Sequence, residues 1–115
     1  MTFQQSIRTC LNKYIDIEGR ASRSEYWWFV LFNIIVSFIA NVIDSALWPG
    51  IFGALAGLAL LAPGITVGVR RLHDRDMSGW WLLLWITGIG GLVLLILFIL
   101  RGTDGPNRFG PDPLA

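Results

Sequence analysis

Three long runs of apolar residues dominate the pattern of hydrophobic and polar positions along the chain. They cover 27–43, 51–69 and 80–100, and none of them contains Asp, Glu, Lys or Arg. Each comes near the ~20 residues that a helix needs to cross the hydrocarbon core of a bilayer. Since the backbone in lipid must satisfy its own hydrogen bonds, this pattern predicts an all-α membrane protein with three transmembrane helices at about these positions.

The chain on either side of these runs has other patterns. Four apolar residues recur at helical spacing near the start: Phe3, Ile7, Leu11 and Tyr14. They predict an N-terminal amphipathic helix at the membrane interface, the alternative being a frayed polar leader. Residues 101–115 are rich in Gly, Pro and Asp, which is typical of an extended, mobile tail. We therefore expect one membrane domain, 1–115, made of an interfacial or cytoplasmic segment 1–25, a three-helix bundle 27–100 and the C-terminal tail.

The composition supports a membrane location and argues against several classes of site. Hydrophobic residues make up 54% of the 115 residues and charged residues 15%, whereas soluble domains carry about 25% charged residues. The net charge of +1 gives no basis for binding nucleic acid. One cysteine, Cys10, and one histidine, His73, are too few for a metal centre built from such ligands, and we expect no metal and no cofactor.

The distribution of basic residues predicts the orientation in the membrane. Seven lysines and arginines lie before the first run or in the 70–79 loop, two lie in the tail, and none lies in the 44–50 connection. With three spans, the positive-inside rule places the N-terminus and the 70–79 loop in the cytoplasm and the C-terminus outside. Four tryptophans at the starts of the first and third runs would then anchor the cytoplasmic interface: Trp27, Trp28, Trp80 and Trp81.

Two of the runs carry a stripe of polar or small residues along one helical face. The polar stripe is Asn33, Ser37, Asn41 and Asp44, and the glycine stripe is Gly53, Gly57, Gly64 and Gly68. Small residues let helices approach closely and amides hydrogen-bond across helices, so we expect the two stripes to pack together. The alternatives are a homodimer interface along the glycines, or a polar track for transport with a hinge at Pro63.

The segments at the predicted cytoplasmic ends concentrate arginines. Five of them are candidates for one site: Arg20, Arg23, Arg70, Arg71 and Arg75. Guanidinium groups suit phosphate oxygens, which makes these arginines candidates for binding anionic lipid headgroups. Five acids in the same segments leave open an internal ion-pair network instead: Asp16, Glu18, Glu25, Asp74 and Asp76. An enzyme would have to use His73, for which the sequence offers no adjacent nucleophile, so no catalytic residue is predicted.

The chain resembles a known family through three motifs in order. These are GRASRSEYWWF at 19–29, RRLHDRDMSGWW at 70–81 and GPNRFGPDP at 105–113. Together they are similar to the domain of unknown function 805 family of small bacterial inner-membrane proteins. The resemblance spans nearly the whole chain and implies a multi-pass protein of the bacterial inner (plasma) membrane. It implies no activity and no catalytic residues.

These observations favour a non-enzymatic membrane module. It would bind anionic lipid headgroups, or a partner membrane protein, through the arginines and tryptophans of a cytoplasmic rim. One alternative is a small transporter or transporter subunit, which would have to be oligomeric because three helices enclose no pore. Another is a lipid-modifying enzyme. Membrane lipids are the expected partners, with a homo-oligomer or another membrane protein as further candidates.

Overall fold

The computed structural model describes residues 2–47 and 50–113, and within them regular structure is helical. Four α-helices follow one another along the chain: α1 (Phe3–Asn12), α2 (Arg23–Ala46), α3 (Phe52–Asp74) and α4 (Ile89–Ile99). A 3-10 helix, Gly79–Thr87, lies between α3 and α4. The predicted all-α class is therefore confirmed for the described residues.

Helices α2 and α3 correspond to the first two predicted spans. Both are long and apolar enough to cross a membrane, and the 24 residues of α2 reach about 36 Å against a ~30 Å hydrocarbon core. The Asp44 carboxylate fixes the connection between them, because the backbone N–H groups of Phe52 and Gly53 each donate to it at 2.8 Å. A carboxylate at a helix N-terminus satisfies donors that have no partner within the helix.

The third apolar run does not form one helix, and three transmembrane helices are not confirmed. It is divided at Gly88, which has a φ of +72°, into the 3-10 helix and the 11-residue α4. At about 2.0 Å and 1.5 Å per residue, each piece is less than 20 Å long and too short to span. The Thr87 hydroxyl accepts a hydrogen bond from Gly90 N at 2.9 Å and so starts α4 afresh.

The two pieces form a hairpin, residues 79–100, that returns to the end where it began. At its start, Gly79 lies against Val69. At its finish, the Phe98 ring lies 4.5 Å from the Tyr26 ring, centroid to centroid, and the Trp27 indole donates to Phe98 O at 3.2 Å. Both ends of the hairpin therefore lie where α2 begins and α3 ends, which we call the rim end.

The C-terminal tail packs on the rim end as well. Arg75 donates to Arg101 O at 2.6 Å, and Thr103 N donates to Asp74 O at 2.6 Å. Further along, Asn107 Nδ2 donates to His73 O at 2.9 Å. These contacts bring the tail beside the 70–79 loop, whereas three crossings would separate the two. The side of the membrane on which the C-terminus lies stays a prediction. The tail is also docked by these hydrogen bonds and is not a free extended segment.

The predicted N-terminal helix is present as α1, and it packs on α2 and α3. Its buried residues are Ser6 and Cys10, while Phe3 makes an edge-on ring contact with Trp28 at 5.7 Å. Leu11, on the other flank of the same helical face, is 42% exposed. Helix α1 thus buries its small residues against the protein, while Phe3 and Ile7 are half-buried and Leu11 faces outward. Just after α1, Lys13 O accepts from the Thr66 hydroxyl of α3 at 3.3 Å.

We predict that both ends of the described chain are on the same side of the membrane. The test uses single cysteines in a Cys10→Ala background: Gln4→Cys, Pro113→Cys and, as the opposite-side control, Ser45→Cys. A membrane-impermeant maleimide should label the first two from one vesicle orientation and Ser45→Cys from the other. Labelling of Pro113→Cys together with Ser45→Cys would restore the three-span topology.

Candidate functional site

The core of the rim end is a buried ion pair between α2 and α3. Arg70 Nη1 donates to the Glu25 carboxylate, and the two side chains are 0% and 4% exposed. Two features position them: Ala21 N donates to Arg70 O at 2.9 Å, and the Ser22 hydroxyl caps α2 by accepting from Glu25 N at 3.2 Å. Buried charges of this kind are stable only when paired.

A second buried acid, Asp74, binds two arginines. Arg20 approaches one carboxylate oxygen with Nε at 3.0 Å and Nη2 at 2.9 Å. Arg71, one helical turn earlier on α3, reaches the other oxygen with Nη1 at 2.6 Å. All three side chains are at most 5% exposed. Two arginines share one carboxylate, so the cluster of Arg20, Arg71 and Asp74 has a net charge of +1.

The same arginines hold the hairpin and the tail through their remaining N–H groups. Arg71 Nε donates to Phe98 O at 3.1 Å, and its Nη2 donates to Leu100 O. Arg20 donates to Thr103 O and to Gly105 O, each at 2.6 Å. Because a guanidinium offers five donors in a fixed fork, one side chain can bind an acid and a backbone turn together.

The five candidate arginines are thus divided by their surroundings. Arg20, Arg70 and Arg71 are buried and paired inside the protein. Arg23 is exposed, with one contact to Ile99 O at 3.3 Å. Arg75 is half-buried and donates to a tail carbonyl. Geometry therefore assigns three of them to an internal network and leaves Arg23 facing the surroundings.

His73 holds the tail in place. Its ring stacks on Phe109 with centroids 3.9 Å apart and planes 2° from parallel. Its Nδ1 lies 2.9 Å from Gly19 O, within hydrogen-bonding distance. These contacts give the imidazole a structural use, and the hypothesis of a lipid-modifying enzyme stays a prediction.

The four predicted anchor tryptophans lie in segments at the rim end or next to it. Trp27 is half-buried and bonds to Phe98 O. The others are more open, at 39% exposure for Trp28, 78% for Trp80 and 48% for Trp81. Large apolar rings left this open in a water-soluble protein would be costly, whereas a membrane interface accommodates them.

The polar and glycine stripes meet at one position only. A Cβ at Gly53 would lie 3.2 Å from Asn41 Oδ1, so that glycine does face the polar stripe. At Gly57 and Gly64 nothing lies within 4 Å, and Gly68 faces Leu82 of the hairpin. The two stripes are therefore in direct contact only near Gly53, although α2 and α3 pack against each other, and at Gly68 the neighbour is the hairpin.

The amides of the polar stripe bond to their own helix. Asn33 Nδ2 donates to Phe29 O at 2.9 Å, and Asn41 Nδ2 donates to Ser37 O at 2.8 Å. Such back-bonding satisfies donors that would be costly in lipid. The transporter hypothesis, which needs these amides to face a substrate, stays a prediction.

A cleft of about 310 Å³ opens at the rim end, which we call the rim cleft. It is lined by Ser22, Arg23, Ser24, Asp74, Arg101 and Gly102. Beside it lies an apolar cleft of about 220 Å³ lined by Ser24, Trp27, Trp28 and Leu31, so that Ser24 belongs to both. Arg101 is not among the arginines predicted from the sequence, because a third membrane crossing would carry this residue to the other side.

Comparison with known proteins identifies a family and similar inner membrane proteins. The model of the family described as protein of unknown function (DUF805) matches residues 14–111. The Inner membrane protein YhaH of Escherichia coli is 44% identical over 110 residues, covering 90% of this chain and 91% of that protein. The Inner membrane protein YhaI of the same organism is 46% identical over 106 residues, covering 90% of each chain. No solved structure matches.

We predict that removing one partner of the Arg70–Glu25 pair is far more costly than removing an exposed pair. Arg70→Met should lower the free energy of unfolding by about 3–5 kcal/mol, because it leaves a buried carboxylate without its cation. Adding Glu25→Leu should recover part of that loss. Asp104→Asn, which breaks an exposed pair with Arg101, should cost less than about 1 kcal/mol. Titration with SDS in mild detergent measures all three, and equal losses in Arg70→Met and Asp104→Asn would contradict the buried pair.

We also predict that Cys10 reacts slowly in the folded protein. Burial, with a smaller contribution from the Glu25 carboxylate, raises the pKa of the Cys10 thiol from 9.0 to about 11. Because the thiolate is the reactive form, this shift alone lowers the maleimide rate near neutral pH about 100-fold. The reference is Gln4→Cys in a Cys10→Ala background. If both label equally fast before unfolding in SDS, α1 is not packed on α2.

Proposed function

The chain belongs to the DUF805 family of inner membrane proteins, and we propose that it is a lipid-binding module of that membrane, not an enzyme. The ligand is the phosphate-bearing headgroup of an anionic lipid, and the rim cleft is its binding site. The observation that carries the proposal is the pair of outward-facing guanidinium groups, Arg23 and Arg101, in one cleft with two serine residues.

The charges around the rim cleft favour an anion. Four arginines are in or against it, Arg20, Arg23, Arg71 and Arg101, and their acidic partners are Asp74 and Asp104. The Asp74 carboxylate is already shared by two of these arginines. Two positive charges therefore remain unbalanced, which suits a phosphate group.

The local chemistry also fits phosphate. Guanidinium forks match phosphate oxygens in geometry and charge. Ser22 and Ser24 lie at the first turn of α2, and the N-terminus of a 24-residue helix is the positive end of its dipole. The helix end adds to the two arginines and would not define a site without them.

The apolar cleft beside the rim cleft favours a lipid over a free phosphate ion. Ser24 lines both clefts, so a headgroup held by Arg23 has its hydrocarbon portion next to Trp27, Trp28 and Leu31. Indole rings occupy the boundary between headgroups and acyl chains. A free phosphate ion would make no use of this second cleft.

The distribution of charge supports a cytoplasmic rim end. Seven of the nine lysines and arginines are in segments 20–23, 70–75 and 101–108, which contact one another at this end, whereas Asp44 is at the opposite end of α2. The positive-inside rule then orients the rim end to the cytoplasm. The cytoplasmic leaflet is the one whose anionic lipids attract basic residues.

We predict that the double variant Arg23→Gln with Arg101→Gln weakens binding of phosphatidylglycerol about 30-fold, since each basic residue near an anionic surface is worth about 1 kcal/mol. Native mass spectrometry of the intact protein released in mild detergent, with defined lipid added, measures the bound fraction. The matched control is Arg8→Gln with Lys13→Gln, which removes the same charge outside the cleft. Equal weakening by both double variants would reduce the site to general surface charge.

Competition separates the sources of the phosphate. Inorganic phosphate should compete poorly with phosphatidylglycerol if the apolar cleft contributes, and phosphatidylcholine should bind weakly because its headgroup has no net charge. Unchanged phosphatidylglycerol binding in Arg23→Gln with Arg101→Gln would reject the headgroup site. A partner membrane protein would then be the leading function.

A further inference from the structure

The hairpin starts and ends at the rim end and extends only about half-way along α2 and α3. Gly79 lies against Val69, close to the rim end, and Trp85 lines a cleft together with Gly64, further from it. The 9-residue 3-10 helix and the 11-residue α4 are roughly 18 Å and 16 Å long. Each length is about half the ~30 Å thickness of a bilayer core. With α2 and α3 spanning the membrane, the turn at Gly88 lies near the middle of the bilayer.

The turn of the hairpin satisfies its own polar groups. The Thr87 hydroxyl donates to Leu84 O at 2.8 Å and accepts from Gly90 N at 2.9 Å. Gly91 N donates to Gly88 O at 3.0 Å. A turn in hydrocarbon has no water to bond with, so its N–H and C=O groups must be paired within the protein. These hydrogen bonds therefore suit a turn that lies in lipid.

The outer surface of the hairpin is apolar from end to end. Residues 79–100 contain no Asp, Glu, Lys or Arg. Their most exposed large side chains are Ile86 at 82% and Ile89 and Trp80 at 78% each, and the two isoleucines flank the turn. Because the hairpin packs on α2 and α3, this surface continues the exposed apolar faces of those two helices. The acyl chains of the leaflet on the rim side are the partner whose chemistry fits it.

The hairpin makes the two halves of the protein unequal in cross-section. The half at the rim end contains α2, α3 and both pieces of the hairpin, and α1 packs there too, with the Ser6 hydroxyl donating to Glu25 O. Within residues 2–47 and 50–113, α2 and α3 are the only helices that continue to the end marked by Asp44. With a diameter of ~10 Å for each helical piece, the cross-section is about 310 Å² in the rim half and about 160 Å² in the far half.

We infer that the chain acts as a wedge in the membrane and binds preferentially to a lipid surface that is convex on the rim side. A body that is broader in one leaflet pushes the lipids of that leaflet apart. Where the leaflet is convex, its lipids are already spread, so inserting the broad half there costs less free energy. The partner is recognised by the shape of its surface and not by its charge, and this role goes beyond headgroup binding in the rim cleft.

Sorting onto narrow membrane tubes tests the inference. The full-length protein is reconstituted into giant vesicles of phosphatidylcholine, whose headgroup has no net charge. In a Cys10→Ala background, an impermeant fluorescent maleimide added outside labels Pro113→Cys in molecules whose rim end faces out. The same reagent labels Ser45→Cys in molecules whose rim end faces in. Each label thus reports one orientation.

The two orientations should sort in opposite directions when a tube is pulled from the vesicle. The measurement is the ratio of protein to lipid fluorescence on the tube divided by the same ratio on the vesicle. It should exceed one for labelled Pro113→Cys, whose rim end is on the convex side of the tube. It should be below one for labelled Ser45→Cys, whose rim end is on the concave side.

Straightening the third apolar run should remove the wedge. Gly88→Ala with Gly90→Ala disfavours the turn, because Gly88 has a φ of +72° and a Cβ at Gly90 would lie 2.2 Å from Leu84 O. The run would then continue as one helix through both leaflets. Labelling of Pro113→Cys would move to the side of Ser45→Cys, and the opposite sorting of the two labels would be lost.

The matched control is Gly57→Ala with Gly64→Ala, which adds the same two methyl groups to α3 where a Cβ meets nothing within 4 Å. It should sort like the parent. Arg23→Gln with Arg101→Gln should also sort like the parent, so that failure of the rim cleft and failure of the wedge are told apart.

Two outcomes would overturn the inference, and both are measured with the hairpin intact, so they do not depend on folding of the hairpin variant. One is an equal ratio for the two labelled orientations, with or without a dimer in native mass spectra. A dimer would then assign the outer face of the hairpin to a second copy. The other is enrichment on the tube of the molecules whose rim end faces in.

Discussion

The arrangement of the rim end depends on the buried carboxylate of Asp74 at the last residue of α3. It is shared by Arg20, from the segment before α2, and by Arg71 of its own helix. The same two guanidiniums reach the backbone at the end of the hairpin and in the tail. One carboxylate thus joins three stretches of chain that are distant in sequence: the segment before α2, the end of α3, and residues 98–105. Since an unpaired charge at this depth would be very costly, these stretches have to stay together.

The paired helices could be predicted from the sequence, and the differences at their ends have a physical cause. The apolar runs 27–43 and 51–69 correspond to α2, Arg23–Ala46, and α3, Phe52–Asp74. Both helices continue past the apolar residues at the rim end because Ser22 caps one and ion pairs neutralise the last turn of the other. The prediction of one helix over the third run was wrong because a count of apolar residues ignores backbone conformation. Gly88 has a positive φ, and Gly90 lies so close to the Leu84 carbonyl that only glycine fits there.

The sequence predicted only part of the candidate site. Most of what it did not predict follows from one wrong assumption, that the third apolar run crosses the membrane as a single helix. The acids near the arginines predicted an internal ion-pair network as one of two possibilities. In the structure, Glu25 pairs with Arg70, and Asp74 pairs with Arg20 and Arg71. Which arginine side chains stay exposed depends on where the end of the hairpin packs against α2 and α3. That position is set by tertiary structure and cannot be read from the local sequence. The assumed third crossing moved Arg101 away from Arg23 and left the glycine face of α3 with no neighbour but α2. The rim cleft could therefore be found only from the structure.

The return of the hairpin also changes what insertion into a membrane requires. In the orientation proposed above, the part of the chain that crosses to the far side is the connection between α2 and α3 with the helix ends beside it. No lysine or arginine is among residues 44–54, so no positive charge is carried through the hydrocarbon. With the rim end in the cytoplasm, as proposed, helices α2 and α3 enter together as a pair, and the chain from Asp74 onward folds on the side where it is synthesised. The last steps of folding, in which the arginines close on Asp74 and on the tail, can then take place without any further segment crossing the bilayer.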